Sequence, residues 1–271
     1  MKNFIFVVTL FLLLASCGND PYRVDVSGVE VQDVKIRRFD KDVFGTDTAG
    51  IDAAMKKLED TYGSFYSGFC SIILLFDGTV PDSLLRSKFL SFVSHPDMKE
   101  VFEASQKAYP DLSELESEIR DVFRHWKYYF PVTDRFPGVY AMVSGLNLPM
   151  SSSDSAIGIG LDMYLGKDHP IYEMAAFEKY RRKNMNSYNI LPDFIRAMSM
   201  TVFPPSGKEN DLLSEIIYQG KIQFMIDLLA PHLADSLKMG YSGEQLNWCL
   251  ANESNIWSFL VKDKLIFTIT L

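Results

Sequence analysis

Val139-Tyr-Ala-Met-Val-Ser-Gly-Leu-Asn-Leu148 and, after a polar interval, Ala156-Ile-Gly-Ile-Gly-Leu161 are the stretch on which the fold turns. Turn residues bound both segments, Phe136-Pro137-Gly138 ahead of the first and Ser151-Ser-Ser-Asp154 between the two. They read as two short strands joined by a loop, after which Asp162-Met-Tyr-Leu-Gly166 returns the chain to helical territory. Ile157-Gly-Ile-Gly160 lacks the third glycine and the helix start of a dinucleotide fingerprint, so its glycines serve close packing of the strand.

Ahead of this group, Val24–Phe39 carries apolar residues mostly at every second position, with a break at Ser27-Gly28, and is expected to be a strand. Ile51, Ala54, Met55, Leu58 and Tyr62 fall at helical spacing up to Gly63. The run Phe69–Phe76 fits a buried strand or a helix. Leu84–Val93 and Met98–Tyr109 read as helices parted by Ser94-His95-Pro96. The strongest helix is Asp111–Phe130, where Leu112, Leu115, Ile119, Val122, Phe123, Trp126 and Phe130 make one apolar stripe. Ser113 with Glu116 fits a capping box, and the acidic first turns match the helix dipole better than they match a metal site.

Beyond the strands, Tyr172–Lys183, Pro192–Val202, Asp211–Leu229 and Ser242–Lys262 read as helices. Ser242 with Gln245 makes a second capping box, and Leu265–Leu271 is strand-like. The order is a strand and helices, a small group of strands, then mostly helices. That gives an α+β class with a mostly helical body and a small mixed or antiparallel sheet, not alternating βαβ units.

The first residues have a different character. Lys2, an uncharged run from Phe4 to Leu14, and then Leu14-Ala15-Ser16-Cys17 resemble the signal and lipobox of bacterial lipoproteins. The resemblance implies cleavage after residue 16 and a diacylglycerol on the Cys17 sulfur. It divides the chain into a signal peptide (1–16), a lipidated spacer (17–23) and one domain (24–271). The run is too short to span a bilayer as a finished helix.

The apolar fraction of 47% and aromatic fraction of 13% mark a folded globule, and the net charge of −8 argues against nucleic-acid binding and against attraction to anionic lipid heads. Membrane attachment is therefore expected from acyl chains alone. Cys70 and Cys249 remain; they are read as two separate thiols, with a disulfide in an oxidising compartment as the alternative.

Searches for chemistry come back empty. His95, His125, His169 and His232 give no pair within one helical turn, so no two-ligand zinc spacing exists. No Gly-x-Ser-x-Gly elbow occurs. Ser206-Gly207-Lys208 lacks the first glycine of a phosphate loop. Asp162 with Tyr164 could line a pocket, the plainer reading being a capping Asp and a packed Tyr. Tyr128, Tyr129 and Tyr164 are candidates for an exposed contact surface. No cofactor is expected.

Several stretches together resemble gliding motility lipoproteins of the GldB family. They are Ile36-Arg-Arg-Phe-Asp-Lys-Asp-Val-Phe44, His125-Trp-Lys-Tyr-Tyr-Phe-Pro131, Ser144-Gly-Leu146, Gly158-Ile-Gly-Leu-Asp-Met-Tyr-Leu-Gly166, Ile217-Tyr-Gln-Gly-Lys-Ile222, Gly240-Tyr-Ser-Gly-Glu-Gln245, Trp248-Cys249, Asn252-Glu253 and Ile256-Trp257. The resemblance implies a lipid-anchored envelope protein with no defined catalytic activity, and a non-catalytic scaffold binding envelope protein partners is the function expected of it. It also implies some tens of residues beyond Leu271. A deeper similarity to zincin-type metalloproteases would put Arg196-Ala-Met-Ser-Met200 where His-Glu-x-x-His belongs and Gln219 at the third ligand. Arg196, Ala197 and Met200 cannot supply two imidazoles and a carboxylate, so that reading is a zincin-like scaffold without metal, or a degenerate peptidase acting on envelope substrates. A carrier of a small or lipid ligand is the third class.

Overall fold

The computed structural model describes residues 23–76, 81–133, 135–206, 211–263 and 265. The signal, Cys17 and the spacer up to residue 22 lie outside these residues, as does the strand-like stretch 266–271. At the centre, β2 (Gly138–Met142) and β4 (Ala156–Gly160) run parallel, with Gly138 opposite Ala156 and Met142 opposite Gly160. β3 (Met150–Ser153) lies antiparallel outside β4, and β1 (Ile36–Arg37) lies parallel on the free side of β2. The sheet is mixed, in the order β1-β2-β4-β3.

Two sequence expectations change here. Ser151–Ser153, expected as loop, is the edge strand β3. Serine suits an edge whose ladder comes from one neighbour, and the outer half of this strand is exposed. The long strand expected over Val24–Phe39 contracts to Ile36–Arg37. Its alternation is visible in burial, since Val26, Val34 and Ile36 are buried, but only the last two residues before Arg38 reach β2.

Strand periodicity sorts side chains to two cores. Val139, Ala141, Ile157 and Ile159 face α6 (Ser113–Tyr129), α9 (Ile190–Val202) and α10 (Leu212–Leu229). Met142 and Ala156 face α1 (Phe39–Phe44), α2 (Ile51–Tyr62), α3 (Ser64–Ile72) and α4 (Asp82–Ser94). Phe39 is the hub of the second core: fully buried, it meets the rings of Tyr62, Phe65 and Phe69 edge-on at centroid distances of 4.8, 5.1 and 5.0 Å. Such pairs add about 0.5–1.5 kcal/mol each beyond burial.

The strand glycines are there for close approach. A Cβ on Gly158 would come within 2.8 Å of the Phe65 ring, and one on Gly160 within 2.2 Å of the Leu148 carbonyl oxygen.

Of the helices, α2 ends at Gly63 and α4 is parted from α5 (Pro96–Ala108) at His95, as expected. The open stretch 69–76 is helical to Ile72. Tyr172–Lys183 is not one helix: α7 (Pro170–Met174) and α8 (Lys179–Arg182) are parted by Ala176, which is left-handed at φ 57°. α11 (Asp235–Met239) follows α10, and Ser242–Lys262 divides at Asn252 into α12 (Gly243–Ala251) and α13 (Glu253–Lys262). The Ser242–Gln245 capping box forms. The Ser113–Glu116 box does not. Ser113 donates its hydroxyl to Asp111, and Glu116 instead accepts from the Ile36 N–H and Lys35 Nζ, both at 3.0 Å, tying α6 to the first strand. Both cysteines are free; burial pushes the Cys70 thiol up to about 11, and Cys249 is half-buried.

Candidate functional site

The chain's polar motifs converge inside the molecule. Arg38, just before α1, donates from Nε and Nη2 to the two oxygens of Asp40 at 2.9 and 2.6 Å, and from Nη1 to the Tyr109 carbonyl at 3.0 Å. Gln106 closes the group, accepting from Arg38 and donating to Asp40 at 2.7 Å. Asp40 is 1% exposed, so its charge is stable there only because the fork-shaped guanidinium and an amide satisfy it.

From this group the Tyr109 hydroxyl donates to the Tyr164 carbonyl, and the Tyr164 hydroxyl donates to Asp193 Oδ2 at 2.9 Å. Asp162, fully buried, accepts from the Ser144 N–H at 2.9 Å, the Ser144 hydroxyl at 3.0 Å and the Leu146 N–H at 2.6 Å. Ser144 Oγ in turn accepts from the Asn147 and Leu148 N–H groups, so its own proton must go to Asp162. Burial raises the pKa of Asp162 and Asp193; Ser144 and Leu146 pull the first back down, Tyr164 and the Arg196 charge the second.

Perturbed carboxylates commonly mark active sites, but these two face backbone, Ser and Tyr partners, not an open cleft. Asp162 and Tyr164 are thus brought together, at 0% and 2% exposure, as ties between the sheet, α5 and α9. Of the three tyrosines expected at a contact surface, Tyr128 is exposed, Tyr129 is half-buried against the core and Tyr164 is interior.

The positions compared with a metalloprotease lie on α9 and α10, which pack on each other. Arg196 donates to the Lys238 carbonyl at 3.4 Å, the Ala197 carbonyl accepts from Thr201 at 3.0 Å, and Met200 is partly exposed. Gln219 donates to Glu215 at 2.8 Å on the same helix. Among the described residues no group of three His, Cys, Asp or Glu side chains could hold a metal ion.

An open groove of the molecule is on α10. This helix is apolar on both sides. Ile222, Met225, Ile226, Leu228 and Leu229 are buried, and the helix packs on α6 and α9, while Ile217 is 49% exposed on the other side. With Phe203-Pro204-Pro205-Ser206 it walls a groove of ≈ 750 Å³ whose lining includes Ile217, Tyr218, Lys221 and Glu215. The Tyr218 hydroxyl donates to the Phe203 carbonyl at 3.0 Å and holds the two walls together. No motif in the sequence marks this surface. The signal was there, in a helix of 18 residues with no polar face wide enough to be its solvated side.

A family model described as Gliding motility protein GldB, a lipoprotein family by its label, matches residues 19–270. The chain belongs to this family. Membership associates it with gliding motility, and the family's lipoprotein character associates it with a membrane-anchored place in the cell envelope. No curated protein and no solved structure matches the chain, and nothing in the comparisons supports the likeness to zincins. Four of the stretches that carried the family resemblance fall in two places. Ile36–Phe44, Ser144–Leu146 and Gly158–Gly166 build the interior ties, whereas Ile217–Ile222 contributes five residues to the groove.

Proposed function

We propose that the protein is held at an envelope membrane by acyl chains on Cys17 and acts there as a non-catalytic scaffold, offering the α10 groove to other envelope proteins. The observation that carries this reading is the exposed apolar side of α10. An apolar helix whose second face closes a groove of side-chain dimensions suits a partner's apolar segment, where a solvated face would be polar. The interior carboxylates support the non-catalytic part, because each is committed to fold-holding donors. Among the described residues no helix is long and apolar enough to cross a membrane, which is compatible with anchoring through Cys17. No observation favours the hydrolase or carrier readings.

The test is a pull-down from envelope membranes with the full-length lipoprotein and a Cys17→Ala control, with metal measured on the same preparation. Stable envelope partners and no metal are expected. A metal-loaded protein without partners would contradict the scaffold and point to hydrolysis.

A further inference from the structure

The helices α12 and α13 stand apart from the rest of the fold. No residue of either is buried, and together they expose Trp248, Leu250, Trp257, Phe259 and Val261 at 41–67% of their full surface. In water this is a large uncovered apolar area. Its residue types are those of a membrane–water interface, where indole and phenyl rings sit among the headgroups.

A basic stretch of the chain borders this element. α12 is tied down by Lys183, which donates to the Gly240 carbonyl at 3.0 Å and to Gln245, and lies over the Tyr241 ring. Lys183 closes the basic run Lys179-Tyr-Arg-Arg-Lys183, in which Lys179, Tyr180 and Arg181 are exposed. A chain with a net charge of −8 is not drawn as a whole to anionic lipid, but this rim is a local exception.

We propose that α12 and α13 lie in the headgroup layer of the membrane that holds Cys17, as a second, non-covalent attachment. The inference rests on the reading of Cys17 as the anchor. A peripheral aromatic element would also fix the orientation of the fold at the membrane, which acyl chains alone do not.

The test uses the mature chain carrying Cys17→Ala, with vesicles of mixed phosphatidylethanolamine and phosphatidylglycerol. It should float with the vesicles, and its tryptophan emission should shift to the blue, Trp126 being buried already. Combining W248S, W257S and F259S should lower partitioning by about tenfold or more with the melting temperature unchanged, since all three side chains are exposed. Three results would overturn the proposal: no flotation and no shift, binding that survives the triple variant, or a dimer in solution that shields the tryptophans without lipid. The mass of the wild-type chain from membranes reports the anchor separately. Absence of the diacylglycerol would refute that reading, whereas the vesicle assay, run without any acyl chain, judges the helices alone.

Discussion

Asp162 is the residue on which the centre of the fold depends most. It satisfies three donors in a loop where Leu146 is held at φ 58°, and the two from Ser144 are buried. Asp162→Ala is expected to destabilise the protein by about 3 kcal/mol, read as a lower urea midpoint at unchanged slope. Asp162→Asn should recover only part of this, because the amide presents donors where donors already point. Asp193 allows a test by pH. Its folded-state pKa is raised, by desolvation first, above an unfolded value near 3.8. Its contribution to stability is therefore fully present below that value and is lost as pH rises through the folded pKa. Asp193→Asn should flatten this fall, so that the loss of stability between pH 4 and pH 7 is smaller in the variant than in the wild type; equal losses would contradict the assignment. Asp162 and Tyr164 could be noticed in the sequence as a pair, but not their partners. Tyr109 and Asp193 are 55 and 29 positions from Tyr164, and nothing local predicts such meetings.

At the level of elements, periodicity was a good guide wherever packing agreed with it. The stripe on α6 puts Ile119, Val122, Phe123 and Trp126 in the core, and the breaks at Gly63 and His95 and the start signal at Ser242 all operate. It misled where a tertiary partner decided the outcome. Glu116 had the spacing of a capping residue, yet the Ile36 N–H at the sheet edge claimed it. The serines of β3 had loop composition but found a ladder on β4. The break between α7 and α8 occurs at Ala176 without a Gly or Pro to announce it. The glycines of β4, by contrast, were legible as packing residues, and they give a graded prediction. Gly160→Ala drives a Cβ into the Leu148 backbone oxygen, 2.2 Å away, and should cost about 3 kcal/mol. Gly158→Ala meets the Ser151 hydroxyl and the Phe65 ring, which are side chains and can move, and should cost about 1–2 kcal/mol. Urea midpoints of the two variants check the order; a milder Gly160→Ala would mean that the Leu148 loop is softer than the packing implies.

For the whole molecule, the sequence carries the family resemblance but does not mark the surface to which the scaffold role is assigned. Residue types with chemistry draw attention first, and here they are spent on holding the sheet between its helices. The apolar part of the groove on α10, Ile217, Ile222 and Met225 among it, consists of residues that, read one at a time, look like core. Only the packing of α6 and α9 on one side of the helix reveals that its other side is left open. The proposed separation of roles is that interior motif residues hold the fold and the groove receives a partner.

The most direct measurement of that separation is capture of envelope proteins by the full-length lipoprotein against Ile217→Asp, with unfolding followed on both. Because Ile217 is 49% exposed, the variant should unfold within about 0.5 kcal/mol of the wild type while losing the captured partner. Undiminished capture by a folded Ile217→Asp would contradict the assignment of function to this groove.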